Sequence, residues 1–232
     1  MNESFILLQG ISLMERVKLI HDAAAMLFIR QGYSKTQISH IAEAIGTSVG
    51  TIYHDFKGKK EIKNFILKCA IDDSFMNRRL ERPIAESMFQ HLETEILESF
   101  HAISARFASH LEDRSEHYSF EELISDAFDL LSSHAIGCLF IERNQADSGR
   151  LTEYYKDYRK RFFRTMAEYL SIFVEKNEIR PLPHLELTAT MIIEILTWWA
   201  MDSRYSSFEI IEVSPEAAKE LCMDNIITAY KQ

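Results

Sequence analysis

Three groups of residues in this 232-residue chain have the types and spacing to do chemistry. Gly46-Thr47-Ser48-Val49-Gly50 fits G-x-S-x-G, the elbow in which a strained strand-to-helix turn exposes a serine hydroxyl for acyl transfer. Its context argues against that chemistry. An apolar helical stripe precedes Ser48, no segment alternates like a strand, and no glycine-rich loop is present to receive an oxyanion. His110, Glu112, Asp113, Glu116 and His117 carry metal-type donors without H-E-x-x-H spacing, and a solvated loop between helices accounts for them. Lys156, Arg159, Lys160, Arg161 and Arg164 could meet an anion such as an acyl thioester, but they read better as the solvated face of a helix. The expectation is therefore not an enzyme, with no metal site and no cofactor.

Thr36 to Lys60, TQISHIAEAIGTSVGTIYHDFKGKK, has a more specific spacing. Ile38, Ile41, Ala42 and Ile45 fall at i, i+3, i+4, i+7, the stripe of a helix docked on a core. Gly46 follows the last of them, where a left-handed turn costs glycine little. Ser48 restarts the chain as a helix, because its hydroxyl can accept from a free amide of the next turn. Two helices so closely joined form a helix-turn-helix, a device for gripping DNA. Upstream, Val17, Ile20, Ala24, Leu27 and Phe28 make a further stripe ending at Gly32. Three helices are the minimum that buries the back of the pair and leaves its second helix free for a major groove.

The stretch AAAMLFIRQGYSKTQISHIAEAIGTSVGTIYHDFKGKKEI resembles the N-terminal signature of the tetracycline-repressor-like (TetR) family of one-component regulators. The resemblance runs from Glu15 to Ile62 and rests on the Gly32-Tyr33 corner, Thr36, Ile41-Ala42, Gly46, Gly50-Thr51-Ile52-Tyr53, Phe56 and Lys59. The remainder is similar to the family only in length, helical character and position. The resemblance implies phosphate contacts from Thr36, Tyr53 and Lys59, with Ser39, Val49, Gly50 and His54 facing bases. Ser48 and Thr51 complete the candidate DNA-binding set. Val49, Gly50 and Thr51 have little hydrogen-bonding reach, so readout is expected through thymine methyls, Ser39, His54 and water. Two departures stand out: the arm before the first helix lacks lysines and arginines, and Asp55 adds a negative charge near the DNA backbone.

The formal net charge of −9 alone argues against a nucleic-acid partner. Its distribution points the other way, since residues 14–62 hold seven Lys or Arg against five Asp or Glu, a balance of +2 that leaves −11 elsewhere. A mildly basic head on an acidic body orients on phosphates. With 7 Gly and 4 Pro, the chain is too poor in turn residues for a β or α/β fold of this length, so an all-α fold is expected. The expected domains are a helix-turn-helix head over 14–62 and a ligand-binding and dimerisation body over 63–232. Cys69, Cys138 and Cys222 lack C-x-x-C pairing and read as reduced core thiols. The opening MNESFILLQGISLM lacks the basic start and cleavage site of a signal peptide, and 191–201 is too short to cross a bilayer. A cytoplasmic protein without a membrane partner is expected.

Beyond Lys59 the pattern predicts a helix to about Arg79, a second from Pro83 to about Leu111, a third from the capping box Ser119/Glu122, and a break near Gly137. An aromatic helix follows over 150–176, and the last two cover 185–204 and 215–230. The family resemblance implies a ligand cavity among the central helices, with Tyr155, Tyr158, Phe162, Phe128 and Trp198 as candidates for an apolar pocket. The last two helices look apolar on more than one face. The resemblance implies that the second face meets the same pair in another subunit, with Ile195, Ala218, Cys222, Asn225, Ile226 and Ala229 at the seam. The functional expectation is a homodimeric repressor on a palindromic DNA operator, released by a small apolar effector. The rival is an all-helical interaction protein whose helix-turn-helix serves only as packing.

Overall fold

The computed structural model describes residues 13–112, 114, 116–206 and 211–232. The opening segment with its arm, and Asp113 of the metal-type cluster, lie outside them. The described residues are all-α, with two isolated bridges and no strand. They form two compact units. One holds residues up to Leu97 together with Ile136–Leu151, and the other holds Glu98–Ala135 with Thr152–Gln232.

The first unit begins with α1 (Leu13–Arg30), α2 (Ile38–Ala44), α3 (Val49–Asp55) and α4 (Lys59–Ile71). Val17, Ile20, Ala24 and Phe28 of α1 are buried with Ile41 and Ala42 of α2, Ile52 of α3, and Ile62, Phe65 and Ile66 of α4. This is the 3.6-residue pattern of the sequence folded on itself. Gly32 and Gly46 take φ values of +97° and +68°, which other residues rarely adopt, and so allow the chain to leave α1 and α2 abruptly.

Residues 72–91 depart from the expected long helices. The chain leaves α4 at Asp72, whose carboxylate accepts from the backbone N–H of Ser74 at 3.1 Å and from its hydroxyl at 2.6 Å. Such a local bond gives the backbone an alternative to the helix. Short 3-10 turns follow at Phe75–Asn77 and Glu86–Phe89. Between them Ile84 pairs with the end of α3: its N–H donates to the Asp55 carbonyl at 2.8 Å, and its carbonyl accepts from Lys57 N–H at 3.0 Å. A backbone drawn into that bridge is not available to a helix starting at Pro83.

Helix α5 (Leu92–Ala108) contains the passage from the first unit to the second. In the second unit, α6 (Phe120–Ser133) starts at the expected capping box, Ser119 N–H donating to the Glu122 carboxylate at 2.8 Å and Glu122 N–H to the Ser119 hydroxyl at 3.2 Å. It ends at His134, three residues before the expected break, and α7 (Ala135–Arg143) runs through Gly137. Gly137 serves packing instead, since a Cβ there would sit 3.0 Å from that of Ala70. The segment 136–151 thus belongs to the head. Asn144, buried, accepts from Tyr33 N–H at 2.6 Å and donates to the carbonyls of Phe28 at 3.0 Å and Phe140 at 2.9 Å.

The second unit is completed by α8 (Arg150–Glu175), most of which lies there, α9 (Leu185–Ala200) and α10 (Pro215–Tyr230). Helices α6, α9 and α10 pack on one another. Among the described residues no single helix is long and apolar enough to cross a membrane.

Candidate nucleic-acid interface

Helix α3 has two unlike sides, and each follows from local chemistry. Ser48 caps it, the hydroxyl accepting from Thr51 N–H at 3.1 Å and lying 3.0 Å from the Thr51 hydroxyl. Those contacts make the G-x-S-x-G segment a helix start, not a nucleophile elbow. Ile52, Asp55 and Phe56 are fully buried. Ser48, Val49, Gly50, Tyr53 and His54 are exposed, Tyr53 by 50%. The outer side is therefore small at its start, with no side chain at Gly50, and carries an aromatic hydroxyl and an imidazole at its end.

The anchor of α3 is an ion cluster that sequence reasoning missed. The Asp55 carboxylate accepts two hydrogen bonds from the Arg16 guanidinium, at 2.6 and 2.8 Å, and one from Arg82 at 2.5 Å. Burial pushes this carboxyl up, but hydrogen bonds from Arg16 and His54 and the charges of Arg16 and Arg82 outweigh it and hold Asp55 below the usual carboxylate range. Its charge is neutralised inside the head. The sequence places Asp55 near DNA as a repulsive group, whereas the fold makes it the tie between α1, α3 and the 82–84 segment. No signal in the sequence paired residues 39 positions apart.

Two of the candidates for phosphate contact are differently disposed than a sequence can show. Thr36 is buried, and its hydroxyl donates to the Gly32 carbonyl at 2.8 Å and accepts from Gln31 Nε2 at 3.0 Å. The Lys59 ammonium donates to the carbonyls of Tyr33 at 2.8 Å and Thr36 at 2.9 Å and lies 4.3 Å from the centre of the Tyr33 ring. It stitches α4 to the turn before α2. Ser39 is exposed, with its hydroxyl 3.5 Å from Gln37 Oε1, too long to hold it firmly. Lys35 and Lys57, which flank the helix pair, are exposed and make no side-chain bond among the described residues, so theirs are the unengaged cations of this surface.

The other candidate residues lie in the second unit. Tyr155, Tyr158, Phe162 and Phe128 are buried. Tyr158 stacks on Phe100 with ring centres 5.0 Å apart, and Phe162 meets Phe107 at 4.6 Å. Trp198 stands apart from them, 41% exposed on the outer face of α9 with Leu187, Met191 and Ile195. The expected dimer seam also divides. Ala218, Cys222 and Ile226 point into the protomer's own core, because their small or slender side chains let α10 approach α6 and α9 closely. Ile195, Asn225 and Ala229 are exposed, as is Leu221. Burial alone raises the Cys222 thiol to about 11, and burial with nearby carboxylates raises Cys69 to about 12, so both are unreactive thiols.

Comparison with known proteins agrees with the head's geometry. Residues 20–63 match the family model described as bacterial regulatory proteins, tetR family. The HTH-type transcriptional repressor KstR2 of Rhodococcus jostii (strain RHA1) is 33% identical over 84 residues, 36% of this chain. That match spans 41% of the length of the relative. The crystal structure of the probable transcriptional regulatory protein RHA5900 superposes with a TM-score of 0.53 at 16% identity, covering 91% of this chain and 97% of the other, which is likeness of fold.

Proposed function

We propose that this chain, which by its head belongs to the tetR family of bacterial regulatory proteins, is a ligand-responsive repressor acting as a homodimer on a palindromic operator in the cytoplasm. The observation that carries the reading is the two-sidedness of α3. Its back is locked by Ile52, Asp55 and Phe56, so the exposed edge of Val49, Gly50, Tyr53 and His54 is held rigidly for a major groove. Val49 meets thymine methyls, His54 and Ser39 supply hydrogen bonds to base edges, and Tyr53 reaches a phosphate. Lys35 and Lys57 bring the charge, while the engaged Lys59 and the buried Thr36 shape the turn that presents the start of α2.

Dimerisation is assigned to the outer face of α9 and α10. Leu187, Met191, Ile195 and Trp198 repeat every three or four residues on one side of α9, and Leu221 adds to them from α10. A monomer that left this stripe in water would expose a large apolar patch, which supports its burial against a second copy. The effector is assigned to the aromatic layer of Tyr155, Tyr158 and Phe162, whose hydroxyls and ring faces suit a small, largely apolar molecule. Such a molecule shifts the protein between DNA-competent and incompetent states by no more than its differential affinity for the two.

Fluorescence anisotropy with a labelled duplex from the chain's own upstream region tests the reading. Saturable binding at low salt, two chains per palindrome, and loss on Tyr53→Ala are expected. A folded Tyr53→Ala protein with unchanged affinity, or no binding by the wild type to any upstream duplex, would favour the all-helical interaction protein instead.

A further inference from the structure

The head contains a cavity that the DNA-binding reading does not use. It measures about 380 Å³ and is walled by the side chains of Met14, Val17, Phe65, Met76, Leu80 and Ile84. That size falls within the roughly 300–1,000 Å³ of small-molecule sites. Among the described residues, the charged ones in its lining are Arg78, Arg79 and Arg82. The carboxylates of the same loop, Asp73 and Glu81, do not line it.

The arginines are not equally engaged. Arg78 donates to Asp72 at 2.8 Å and lies over the Phe75 ring. Arg82 shares the Asp55 carboxylate with Arg16 and is held by it. Arg79 is exposed and makes no ion pair among the described residues. An apolar chamber whose charged groups are all guanidinium selects a molecule of matching polarity, with an apolar tail and one anionic end. A guanidinium fork pairs best with a planar carboxylate.

We infer that the first unit binds an acyl chain ending in a carboxylate, its tail among Met14, Val17, Phe65, Met76 and Leu80 and its head group on Arg79. The site is coupled to the DNA-facing helix by construction of the fold. Ile84 and Arg82, which line the cavity, also hold the end of α3 through the Asp55 carbonyl and carboxylate. Any shift of the 78–84 segment on binding is felt at α3, and ligand and DNA then change each other's affinity by the same factor.

Isothermal titration of the full chain with sodium dodecanoate, in the absence of DNA, tests the inference separately from the proposed function. One molecule per chain in the head is expected. Dodecan-1-ol should bind at least tenfold more weakly, Arg79→Ala should lower dodecanoate affinity at least tenfold, and Met76→Trp, which fills the chamber, should abolish binding. Arg79 is exposed, so its variant tests the site even if Met76→Trp does not fold. Absence of dodecanoate binding overturns the inference. So does a folded Arg79→Ala protein that binds dodecanoate as the wild type does, which would place the acid elsewhere, and so does equal affinity for the alcohol.

Discussion

The Asp55 carboxylate, without solvent access at the end of α3, receives both a 2.6 Å and a 2.8 Å hydrogen bond from the Arg16 guanidinium near the start of α1. A two-point contact of this kind fixes orientation as well as distance. It sets the pitch of the DNA-facing helix against the rest of the head. Asp55→Ala should therefore cost about 3 kcal/mol, the lower part of the range for breaking a buried ion pair, because both arginines keep some solvent. Urea unfolding followed by circular dichroism measures it. A loss below about 0.5 kcal/mol, the usual scale of an uninvolved surface change, would remove the cluster from the account of the head's stability.

The same pair sets an acid dependence. Asp55 is held below its ordinary value in the folded protein, so the unfolded chain takes up its proton first as pH falls. The stabilisation is present above the unfolded value of about 3.9 and is lost as pH drops through the lower folded value. The stability difference between wild type and Asp55→Asn should thus be constant at neutral pH and shrink below about pH 4. Unfolding curves at pH 7, 4 and 3 check the sign, and a difference that grew on acidification would contradict it.

Lys57 and Lys59 should separate in their effects. Lys57→Ala should weaken all duplexes alike and lower the salt slope by about 0.9, one phosphate contact, with stability unchanged. Lys59→Ala removes a charged donor from the Tyr33 and Thr36 carbonyls and should cost about 1.5 kcal/mol of stability besides any effect on DNA. Salt titrations of affinity with parallel thermal melts distinguish them. Equal melts for both variants would mean that the Lys59 bonds contribute nothing.

On α3, His54→Ala and Ser39→Ala should change which bases are preferred at their positions by about 1–3 kcal/mol, with little change in salt slope. Selection from a randomised operator reads this directly. Uniform weakening across all sequences would assign both residues to the phosphate backbone.

At the seam, Met191→Asp and Trp198→Asp place a charge on the exposed face of α9 and should give a folded monomer with much weakened operator binding. Cys222→Arg, in contrast, buries a charge inside the protomer and should unfold the second unit. Sedimentation with circular dichroism separates the two. A dimeric Met191→Asp protein would move the interface away from α9.

Much of this was legible in one dimension. The stripes of α1, α2 and α4, the left-handed Gly32 and Gly46, the Ser48 cap and the Ser119/Glu122 capping box are local: each depends on residues within a turn or two, where spacing is itself geometry. The bounds of α10, Pro215–Tyr230, were set in the same way by proline at its start. Tertiary structure alone decided what those local rules leave open. Residues 81–85 are not helical because Ile84 bonds to Asp55 and Lys57, the 136–151 segment joins the head because Asn144 satisfies Tyr33 and Phe28, and Asp55 is an anchor because Arg16 and Arg82 reach it. Likewise, apolar spacing told that α9 and α10 bury residues but not which face the protomer takes for itself. That choice depends on partners far along the chain, whose position no periodicity encodes: Ala218, Cys222 and Ile226 went inward, and Met191, Ile195 and Trp198 were left outside.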